Sequence, residues 1–347
     1  AGDHAHDIGR MAVLDAGWPV SVPGVTLNRF CGSGQQAVTF AAMGVGAGHQ
    51  DLVVGAGVES MSRPARNGTD GFHANNEHLL AVHPQIPQGL SADLIATLDG
   101  YTRVEVDALG LESQHRAAAA ISEGRFDRSL VTIHNDDGTV ALDHDEYPRP
   151  ETTAEGLAAL HPSFTKFGDF TFEQSDLTMA ELMAHKYPGV ELHNVHHAGN
   201  SSGVVDGAGA VLVSSPGYAK AHGLTPRARL VMSAVAAAEP LIMLTAPGPA
   251  ANKCLARAGM TIDDIDLFEV NEAFAAVVLR FFRDTGADPL KVNVNGGAIA
   301  LGHPIGATGA MLIGTLIDEL ERRDLQTGLV AMCTGGGMGT ATIIERI

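Results

Sequence analysis

Short apolar runs alternate with amphipathic segments along the chain, which is typical of α/β layers built on a largely parallel sheet. Apolar runs at residues 25–27 and 51–55 predict two buried strands. Between them, apolar residues recur at i, i+1, i+4, i+5 and i+8 from Ala37, which predicts a helix over residues 34–46. The residues on that face are small, so this helix can lie close to a neighbouring backbone.

The same pattern returns towards the end of the chain. Apolar runs at residues 267–270, 292–294 and 328–332 predict strands, and a segment rich in glycine and alanine follows residue 294. Each unit reads as a strand, an asparagine-containing turn, a small-residue helix, a strand and a glycine turn. This similarity indicates an internal duplication and therefore two related α/β halves.

The stretch from about residue 62 to 187 differs from both units, because it is rich in proline, asparagine, aspartate and histidine. Thr102 and Glu105 have the spacing of a capping box, which predicts a helix that ends near Gly124. We interpret the stretch as an insertion, and insertions of this size often cover a ligand.

Composition excludes several classes of protein. The chain has 347 residues, enough for about two domains of ordinary size, with 45% apolar and 18% charged residues. It is therefore globular rather than disordered. Lys and Arg number 22 against 40 for Asp and Glu, a net charge of −18, which argues against nucleic-acid binding and against docking on an anionic membrane.

The cysteine count bears on location. Three cysteines are too few for a disulfide framework, and an odd number indicates free thiols, so we predict the cytoplasm. Each apolar stretch is shorter than the roughly 18 residues of a bilayer span, so no membrane span is predicted. The chain begins with Ala1 rather than Met, which leaves a processed or longer form open.

Cys31 is the first candidate catalytic residue. It stands in N-R-F-C-G-S-G, between a predicted strand and the small-residue helix. A thiol at a helix start lies near the positive end of the helix dipole and beside free backbone N–H groups, which lower its pKa and can bind a developing oxyanion. The flanking glycines leave room for a ligand. The alternative is a buried structural cysteine.

Three more candidates stand at similar junctions. His303 lies in G-H-P-I-G-A-T-G, where a proline in the first turn of a helix would hold the imidazole rigidly as a general base. Cys333 ends a predicted strand and begins C-T-G-G-G-M-G, so its thiol could exchange a proton as well as attack. Asn271, in V-N-E-A-F-A, could hold a water or only cap a helix. A semi-buried histidine and a strand-end cysteine are the structural alternatives.

Other patterns are weaker. His193, His196 and His197 invite a metal site, but no carboxylate has the matching spacing, so none is predicted. No G-x-G-x-x-G stands in a strand-turn-helix context and no P-loop is present, which excludes a dinucleotide site. Cys254 lies in a predicted helix and is interpreted as structural.

Taken together, N-R-F-C-G-S-G, V-N-E-A-F-A, N-G-G-A-I-A-L-G-H-P-I-G-A-T-G and C-T-G-G-G-M-G resemble the thiolase family, in the family's order. The segment G-N-S-S-G-V-V-D-G-A-G-A, from Gly199, also resembles a family segment. L-N-R-F-C and A-E-P-L-I-M-L-T-A-P-G-P-A are most similar to the degradative 3-ketoacyl-CoA thiolases of bacterial fatty-acid oxidation. One departure is that thiolases ordinarily begin with a strand-helix-strand segment upstream of where this chain starts.

The resemblance implies an α/β, thiolase-like fold of two similar halves, stacked as five α/β/α/β/α layers with an inserted loop domain. The N-terminal half would comprise residues 1–61 and 193–220, and the C-terminal half residues 221–347. Residues 62–192 would form the loop domain over the CoA site. The resemblance also implies a homodimer or homotetramer, with a hydratase-dehydrogenase subunit of a β-oxidation complex as a possible partner.

The resemblance assigns roles to the candidates. Cys31 would attack the 3-keto carbon of a 3-ketoacyl-CoA and keep the acyl group as a thioester. His303 would activate that thiol and, with a water held by Asn271, stabilise the enolate. Cys333 would protonate the acetyl carbanion in cleavage or remove the α-proton in condensation. The backbone N–H groups of Cys31 and Gly335 would bind the oxyanion.

CoA is thus expected as a substrate, with no permanently bound cofactor. Ser233 would lie near the pantetheine arm, Phe274 near the CoA moiety and Met243 in the acyl pocket. The candidates for the CoA phosphates are the basic residues of the insertion, Arg63, Arg66 and Lys166.

Thiolysis in fatty-acid β-oxidation is the first prediction. Biosynthetic condensation of two acetyl-CoA is the close alternative, because both directions use the same residues. A ketoacyl synthase would carry a histidine where Cys333 stands. A catalytically silent acyl-CoA-binding or scaffold subunit would not need the intact site, and a cysteine hydrolase would leave Cys333 and Asn271 unexplained.

Overall fold

A computed structural model describes residues 6–63, 76–171 and 175–347. Its helices are α1 (Ile8–Asp15), α2 (Ser33–Gly46), α3 (Glu77–Val82), α4 (Gln88–Asp99), α5 (Arg103–Ser122), α6 (Ala154–Ala158), α7 (Met179–Lys186), α8 (Pro216–Ala221), α9 (Pro247–Ala258), α10 (Ala275–Thr285), α11 (Ala298–Leu301) and α12 (Thr308–Arg322). Its strands are β1 (Leu52–Glu59), β2 (Ile133–His134), β3 (Val140–Leu142), β4 (Gly207–Ser214), β5 (Ala228–Ala237), β6 (Leu267–Val270), β7 (Thr327–Thr334) and β8 (Met338–Arg346). Short 3₁₀ turns lie at Thr165–Asp169, Ile262–Asp264 and Pro289–Lys291.

Four strands form what we call the second sheet, in the order β5, β8, β7, β6. β6 and β7 run parallel, whereas β8 pairs antiparallel with β5 and with β7. Alternate β7 residues pack on opposite sides, with Leu329 towards α9 and α10 and Val330 towards α12. The strands predicted at 267–270 and 328–332 are confirmed. The largely parallel sheet is wrong for the described residues, because β8 folds straight back on β7 through a glycine turn.

β1 and β4 form what we call the first sheet, an antiparallel pair with Val54 opposite Leu212. One face of this sheet packs on α2 and α12. The other face exposes alternate apolar side chains, and Leu52, Val54, Val58 and Leu212 are between 39% and 57% exposed. The strand predicted at 51–55 is confirmed and extends to Glu59, but the prediction that it is buried is wrong, because its outer face is exposed.

The buried strand predicted at residues 25–27 is wrong. This segment is irregular, and Val25 is 82% exposed. β1 and β4 pair with each other, and no described strand lies beside 25–27, so its backbone groups have no ladder to join. An apolar run predicts a strand only where a partner strand is available.

α2 and α12 lie against each other between the two sheets. Glycines make the contact possible: a Cβ on Gly309 would stand 2.3 Å from the backbone nitrogen of Gln35, and one on Gly34 would stand 2.8 Å from the carbonyl oxygen of Gly306. The helix predicted over 34–46 is confirmed as α2, and its small residues serve this close approach.

The strand predicted at 292–294 is also wrong. Val292 makes a single parallel bridge to Phe268, and the chain then turns at Asn293, whose φ is 49°. The side chain of Asn293 takes over the pairing with β6: its Oδ1 accepts from Val270 N at 2.8 Å, and its Nδ2 donates to Val270 O at 2.8 Å. An asparagine tolerates this left-handed backbone better than most residues.

The insertion carries α3 to α7 and the hairpin β2–β3. α5 begins with the predicted capping box: the Thr102 side chain accepts from Glu105 N, and the Glu105 carboxylate accepts from Thr102 N at 2.7 Å. The helix ends at Ser122, two residues before Gly124, so this prediction is confirmed. In the described parts of the chain, no helix has both the length and the apolar character needed to cross a bilayer.

Two apolar clusters meet at the candidate residues. Cys333 belongs to the cluster that joins the insertion, through Leu90, to the loop around Leu241. Cys31 belongs to the cluster between α2, α12 and the second sheet. The site therefore lies where the insertion, the two central helices and the second sheet meet.

Candidate active site

Cys31 lies in the tight turn that precedes α2. Phe30 before it has a φ of 50°, and Gly32 after it is the N-cap of the helix. The thiol is buried, and burial raises its pKa to about 11 although the backbone N–H groups of Cys31 and Gly335 both act to lower it. At neutral pH Cys31 is therefore a thiol, and it needs a base before it can attack.

Gly335 reaches Cys31 because the turn after β7 folds over the start of α2. A Cβ on Gly32 would stand 2.7 Å from Thr334 Cγ2, and one on Gly335 would stand 3.0 Å from the ring of Phe30. The backbone N–H groups of Cys31 and Gly335 thus both act to lower the pKa of the Cys31 thiol, and N–H groups beside a sulfur can bind a negative oxygen there.

Cys333 lies at the end of β7, where it pairs with Gly339 of β8. The turn between the strands contains Gly336 and Gly337, with φ of 79° and 76°, values that favour glycine. Burial and then the nearby Cys31 raise the pKa of Cys333, so the second thiol is also protonated at neutral pH. In the resting protein Cys333 can therefore donate a proton but cannot act as a base.

His303 lies buried in the turn between α11 and α12, and its backbone N–H donates to Gly203 O at 2.9 Å. On its ring, Nδ1 lies 2.7 Å from Thr308 Oγ1 and Nε2 lies 3.3 Å from Asn271 Nδ2. Burial lowers the pKa of His303 to about 4, so the imidazole is neutral at physiological pH. A neutral imidazole can accept a proton.

Asn271 follows β6 directly, and its backbone N–H donates to Ala331 O of β7 at 3.0 Å. Its side chain is buried beside His303, and its Oδ1 is a buried oxygen without a hydrogen-bond partner among the described residues. Such an oxygen is costly unless something donates to it. The asparagine therefore presents an acceptor to a ligand or a water, as its predicted role requires.

A buried carboxylate holds the Asn271 loop against the segment that leads to His303. Glu272 accepts from Ser113 Oγ at 2.6 Å, from Asn293 Nδ2 at 2.9 Å and from Ile299 N at 3.1 Å. Burial raises the pKa of Glu272 despite these donors. Sequence reasoning passed over this residue, although it stands next to Asn271 in V-N-E-A-F-A.

The segment 199–203 lies along the same loop, with a bridge between Ser201 and Phe274 and a bond from Ser202 N to Ala273 O at 3.0 Å. The Oγ atom of Ser201 is buried and unpartnered within the described chain. Phe274 is buried and makes edge contacts with the rings of Phe164 and His196, at 5.9 Å and 5.6 Å between centroids. The structure thus places Phe274 next to the catalytic candidates.

Met243 and Ser233 lie in different surroundings. Met243 is buried, has a φ of 57° and belongs to the apolar cluster that contains Cys333 and Phe274. Ser233 lies on β5, where its Oγ contacts Thr39 Oγ1 at 3.3 Å and Thr342 Oγ1 at 3.2 Å. The structure therefore brings Met243 to the site and places Ser233 in a polar contact between α2 and the second sheet.

Of the three histidines that invited a metal site, His193 is exposed, and His196 and His197 are bonded to aspartates. His196 Nδ1 lies 2.7 Å from Asp93 Oδ1, and its Nε2 accepts from Ala276 N at 3.4 Å. His197 Nε2 lies 2.8 Å from Asp107 Oδ1. Both rings are buried and tie the insertion to the loops around the site. Cys254 lies behind the second sheet, among the apolar residues of α9 and α10.

A cavity of about 440 Å³ is lined mainly by residues of the insertion, and none of Cys31, Asn271, His303 and Cys333 lines it. Arg149, Tyr147 and Gln114 contribute polar groups to its wall, and Gly199 and Ile299 line it from outside the insertion. Residues Thr152, Thr153, Gly156, Leu157, Leu160, Ala198 and Glu151 complete the lining.

Of the phosphate-binding candidates from the sequence, the two that the structure describes, Arg63 and Lys166, do not line this cavity. Arg66 lies outside the described residues, and Lys166 is exposed on the 3₁₀ turn Thr165–Asp169. Arg63 lies a few residues after β1 and follows Ser62, whose backbone N–H donates to Asp206 Oδ1. Arg149 was missed, although its position in the polar, turn-rich segment before α6 was a signal that a ligand-facing loop was present.

The arrangement can carry out acyl transfer through a thioester. It combines a buried thiol, two N–H groups that act to lower its pKa, a neutral imidazole and a second buried thiol. A nucleophile, a base, an oxyanion site and an acid are the parts that the chemistry needs.

Known proteins match the chain along its whole length. The family model described as "Thiolase, N-terminal domain" matches residues 1–178, and the one described as "Thiolase, C-terminal domain" matches residues 224–346. An acetyl-CoA acetyltransferase of Allochromatium vinosum is 40% identical over 97% of this chain and 83% of the relative. A steroid 3-ketoacyl-CoA thiolase of Mycobacterium tuberculosis is 41% identical over 100% of this chain and 80% of the relative.

Solved structures give the same picture. The crystal structure of human mitochondrial 3-ketoacyl-CoA thiolase in complex with CoA is 34% identical in sequence, with a TM-score of 0.82. That match covers 100% of this chain and 84% of the human chain.

Proposed function

The chain belongs to the thiolase family and is an acetyl-CoA C-acyltransferase, and we propose that it cleaves 3-ketoacyl-CoA with CoA through an acyl group on Cys31. Its fold is the thiolase fold, as the sequence predicted. The observation that carries the assignment of roles is the pair of N–H groups, from Cys31 and Gly335, that both act to lower the pKa of the Cys31 thiol.

In the first half-reaction, His303 Nε2 takes the proton of the Cys31 thiol as its sulfur attacks the 3-keto carbon. The oxyanion that forms lies between the N–H groups of Cys31 and Gly335. The bond between C2 and C3 of the substrate then breaks, and the acetyl-CoA fragment leaves as an enolate. Protonated His303 and a water on Asn271 stabilise the enolate oxygen. The Cys333 thiol then gives its proton to the enolate carbon.

In the second half-reaction the Cys333 thiolate takes the proton of the incoming CoA thiol. The CoA sulfur attacks the acyl group on Cys31, and the Cys31 thiolate that leaves recovers its proton from His303. Both thiols and the imidazole return to their starting forms. Two thiols are needed because one is occupied by the acyl group while the other moves a proton.

CoA is the substrate, and we place its nucleotide end in the 440 Å³ cavity. The Arg149 guanidinium on its wall can meet a phosphate, and the Tyr147 ring and Leu160 offer apolar surface. From there the pantetheine arm would pass Gly199 and Phe274 to the thiols. The acyl chain would extend into the apolar cluster that holds Met243.

The second candidate is the condensation of two acetyl-CoA in the biosynthetic direction. The observation that favours it is that relatives 38–40% identical carry the name acetyl-CoA acetyltransferase. Both directions use the same residues, with Cys333 removing the α-proton in condensation. We place the degradative direction first because relatives named 3-ketoacyl-CoA thiolase match at similar identity.

The domain boundaries and the assembly also belong to the proposal. We divide the chain into a first half (residues 1–61 and 193–220), a loop domain (62–192) and a second half (221–347). α3 to α7 fall inside the loop domain, and β4 resumes the sheet that β1 begins, which supports this division. Exposed apolar side chains on α2 and the first sheet support a homodimer or homotetramer, which light scattering would test. We keep the cytoplasm as the location, since the three cysteines are free.

The experiment is mass spectrometry of the protein after incubation with acetoacetyl-CoA. We expect an acetyl group on Cys31 that added CoA removes. The variant Cys31→Ala should take up none, and Cys254→Ala, at a buried thiol behind the second sheet, should be acetylated as the wild type is. A folded wild type that forms no adduct would instead favour an acyl-CoA-binding or scaffold subunit.

A further inference from the structure

We propose that Thr308 is a positioning residue that fixes the proton of His303 on Nδ1 and so leaves Nε2 free to act as the base. The inference rests on the proposed function only where it predicts an effect on the acetylation of Cys31. The position of the proton itself follows from hydrogen bonds around the ring.

The Thr308 hydroxyl has two neighbours and one proton. Its Oγ1 lies 2.7 Å from His303 Nδ1 and 3.0 Å from Pro304 O. In the structure the hydroxyl donates to Pro304 O, a carbonyl oxygen that can only accept and that also accepts from Ala307 N at 2.8 Å. The same oxygen must then accept from the ring, which requires a proton on Nδ1.

The other side of the ring agrees with this assignment. Nε2 lies 3.3 Å from Asn271 Nδ2, and an amide nitrogen only donates. With the amide in this orientation, Nε2 carries a lone pair at rest. Both partners orient the ring by neutral hydrogen bonds, and Nε2 is the nitrogen that faces Asn271 and the candidate site.

Two other buried histidines in the same protein have a carboxylate rather than a hydroxyl as the partner of the ring. His196 and His197 each lie within 2.8 Å of an aspartate oxygen, on Asp93 and Asp107. A carboxylate stabilises the imidazolium, whereas a hydroxyl does so weakly. With Thr308 as its partner, His303 stays neutral when buried and takes a proton only while the substrate supplies a negative charge nearby.

The local backbone allows Thr308 to be tested without disturbing the helix start. Thr308 is the first residue of α12, and its backbone N–H donates to Pro304 O at 3.0 Å independently of the side chain. Thr308→Val keeps the branched shape and removes only the oxygen. Thr308→Ser keeps the oxygen and removes only a methyl group.

The first measurement is the ¹⁵N spectrum of the histidine rings, with His303 assigned from a His303→Asn variant. The wild type and Thr308→Ser should show a protonated Nδ1 and an unprotonated Nε2. Thr308→Val should move the proton towards Nε2, with Asn271 turned to accept it. A wild type protonated on Nε2, or a Thr308→Val spectrum like that of the wild type, would overturn the inference.

The second measurement is the rate of acetylation of Cys31 by acetoacetyl-CoA over a range of pH. Thr308→Val should lower the rate at saturating substrate about 10²-fold, the lower end of what a general base contributes, with KM little changed. Thr308→Ser should stay within a few-fold of the wild type. Thr285→Val is the matched control, because Thr285 Oγ1 also donates to a carbonyl one turn back, Phe281 O at 2.7 Å, away from the site.

The two measurements separate this inference from the proposed function. If the ring carries its proton on Nδ1 only when residue 308 has a hydroxyl, and yet no variant nor the wild type is acetylated, the thiolase role fails and the positioning role stands. If acetylation proceeds equally in the wild type and Thr308→Val, the positioning role fails and the thiolase role stands.

Discussion

The first and second sheets meet the same two helices but differ in what covers them. β7 of the second sheet is buried on both faces, between α9 and α12, whereas the first sheet exposes Leu52 and Leu212 on its outer face. Cys333 lies in β7 and Asn271 follows β6, both in the second sheet, and His303 precedes α12, which packs on that sheet. Cys31 precedes α2, which packs on the first sheet, and belongs to the apolar cluster between α2, α12 and the second sheet. The better buried region thus holds the acid-base machinery, and the nucleophile reaches it across the contact between α2 and α12.

The largest expected effect compares a leucine from each sheet. Leu329→Ala removes a fully buried side chain of β7 and should cost about 2–5 kcal/mol of unfolding free energy. Leu52→Ala acts on a β1 side chain that is 40% exposed and should cost less than about 1 kcal/mol. Urea unfolding of both variants measures the difference. Equal losses would mean that the outer face of the first sheet is covered in solution.

The next prediction concerns His303 and pH. Its pKa is about 4 in the folded protein, against an ordinary histidine value of 6.5, so between these values the unfolded chain binds a proton that the folded chain does not. Stability must therefore fall as pH drops from about 6.5 to about 4, by roughly 3 kcal/mol in total from this group. Above about pH 6.5 the contribution is constant.

The variant His303→Asn isolates that effect. Other buried groups titrate in the same range, among them Glu269, whose pKa burial raises and whose effect on stability has the opposite sign. These groups are present in both proteins and cancel in the difference. Unfolding free energies measured at several pH values should converge between wild type and variant in acid. Parallel curves would show that His303 is not a buried neutral imidazole.

The contact between the two helices gives the third prediction. A Cβ on Gly309 would stand 2.3 Å from Gln35 N, so Gly309→Ala must push α12 and α2 apart, at about 1–3 kcal/mol. Cys31 precedes α2 and His303 precedes α12, so moving the helices apart also moves these two residues. The rate of Cys31 acetylation should therefore fall by more than the loss of folded protein explains. Gly46→Ala is the control, since a Cβ there meets nothing within 4 Å. If both variants acetylate alike, the helix contact does not set the geometry of the site.

Local patterns predicted most of the elements of both regions. The spacing of apolar positions gave α2 and β6, and the capping box gave the start of α5, because these signals depend on neighbours in the sequence. The strands at 25–27 and 292–294 failed for a shared reason. A strand needs a partner strand. Val292 makes a single backbone bridge to β6, and beyond it the side chain of Asn293 makes the hydrogen bonds to β6 that a strand backbone would make.

The site divides in the same way. Cys31, His303, Cys333 and Asn271 stand in distinctive glycine-rich or junction motifs, and the structure places Cys31 near Cys333 and Asn271 Nδ2 3.3 Å from His303 Nε2. Ser233 stands in an ordinary apolar strand, and its neighbours Thr39 and Thr342 are 194 and 109 residues away in sequence. No local pattern reports such contacts, nor does one report that Arg149 lines the cavity while Lys166 does not.

The smallest expected effect tests whether the insertion contributes to the binding of CoA and not to the chemical step. Arg149→Ala should raise KM for CoA about tenfold, near 1.4 kcal/mol, and leave kcat unchanged, because a contact made equally in the ground and transition states affects binding alone. Steady-state kinetics with CoA varied at saturating acetoacetyl-CoA provides both constants.

Two further variants sharpen that test. Arg149 also donates to Glu146 O and Pro148 O, each at 3.1 Å, so alanine could loosen the loop as well as remove a charge. Arg149→Lys keeps the charge without the planar fork and should lie between alanine and wild type. Lys166→Ala removes an exposed cation of the same insertion that does not line the cavity, and KM should not change. The reverse result would move the CoA phosphates to the other side of the insertion, because only a cation within reach of them can change KM in this way.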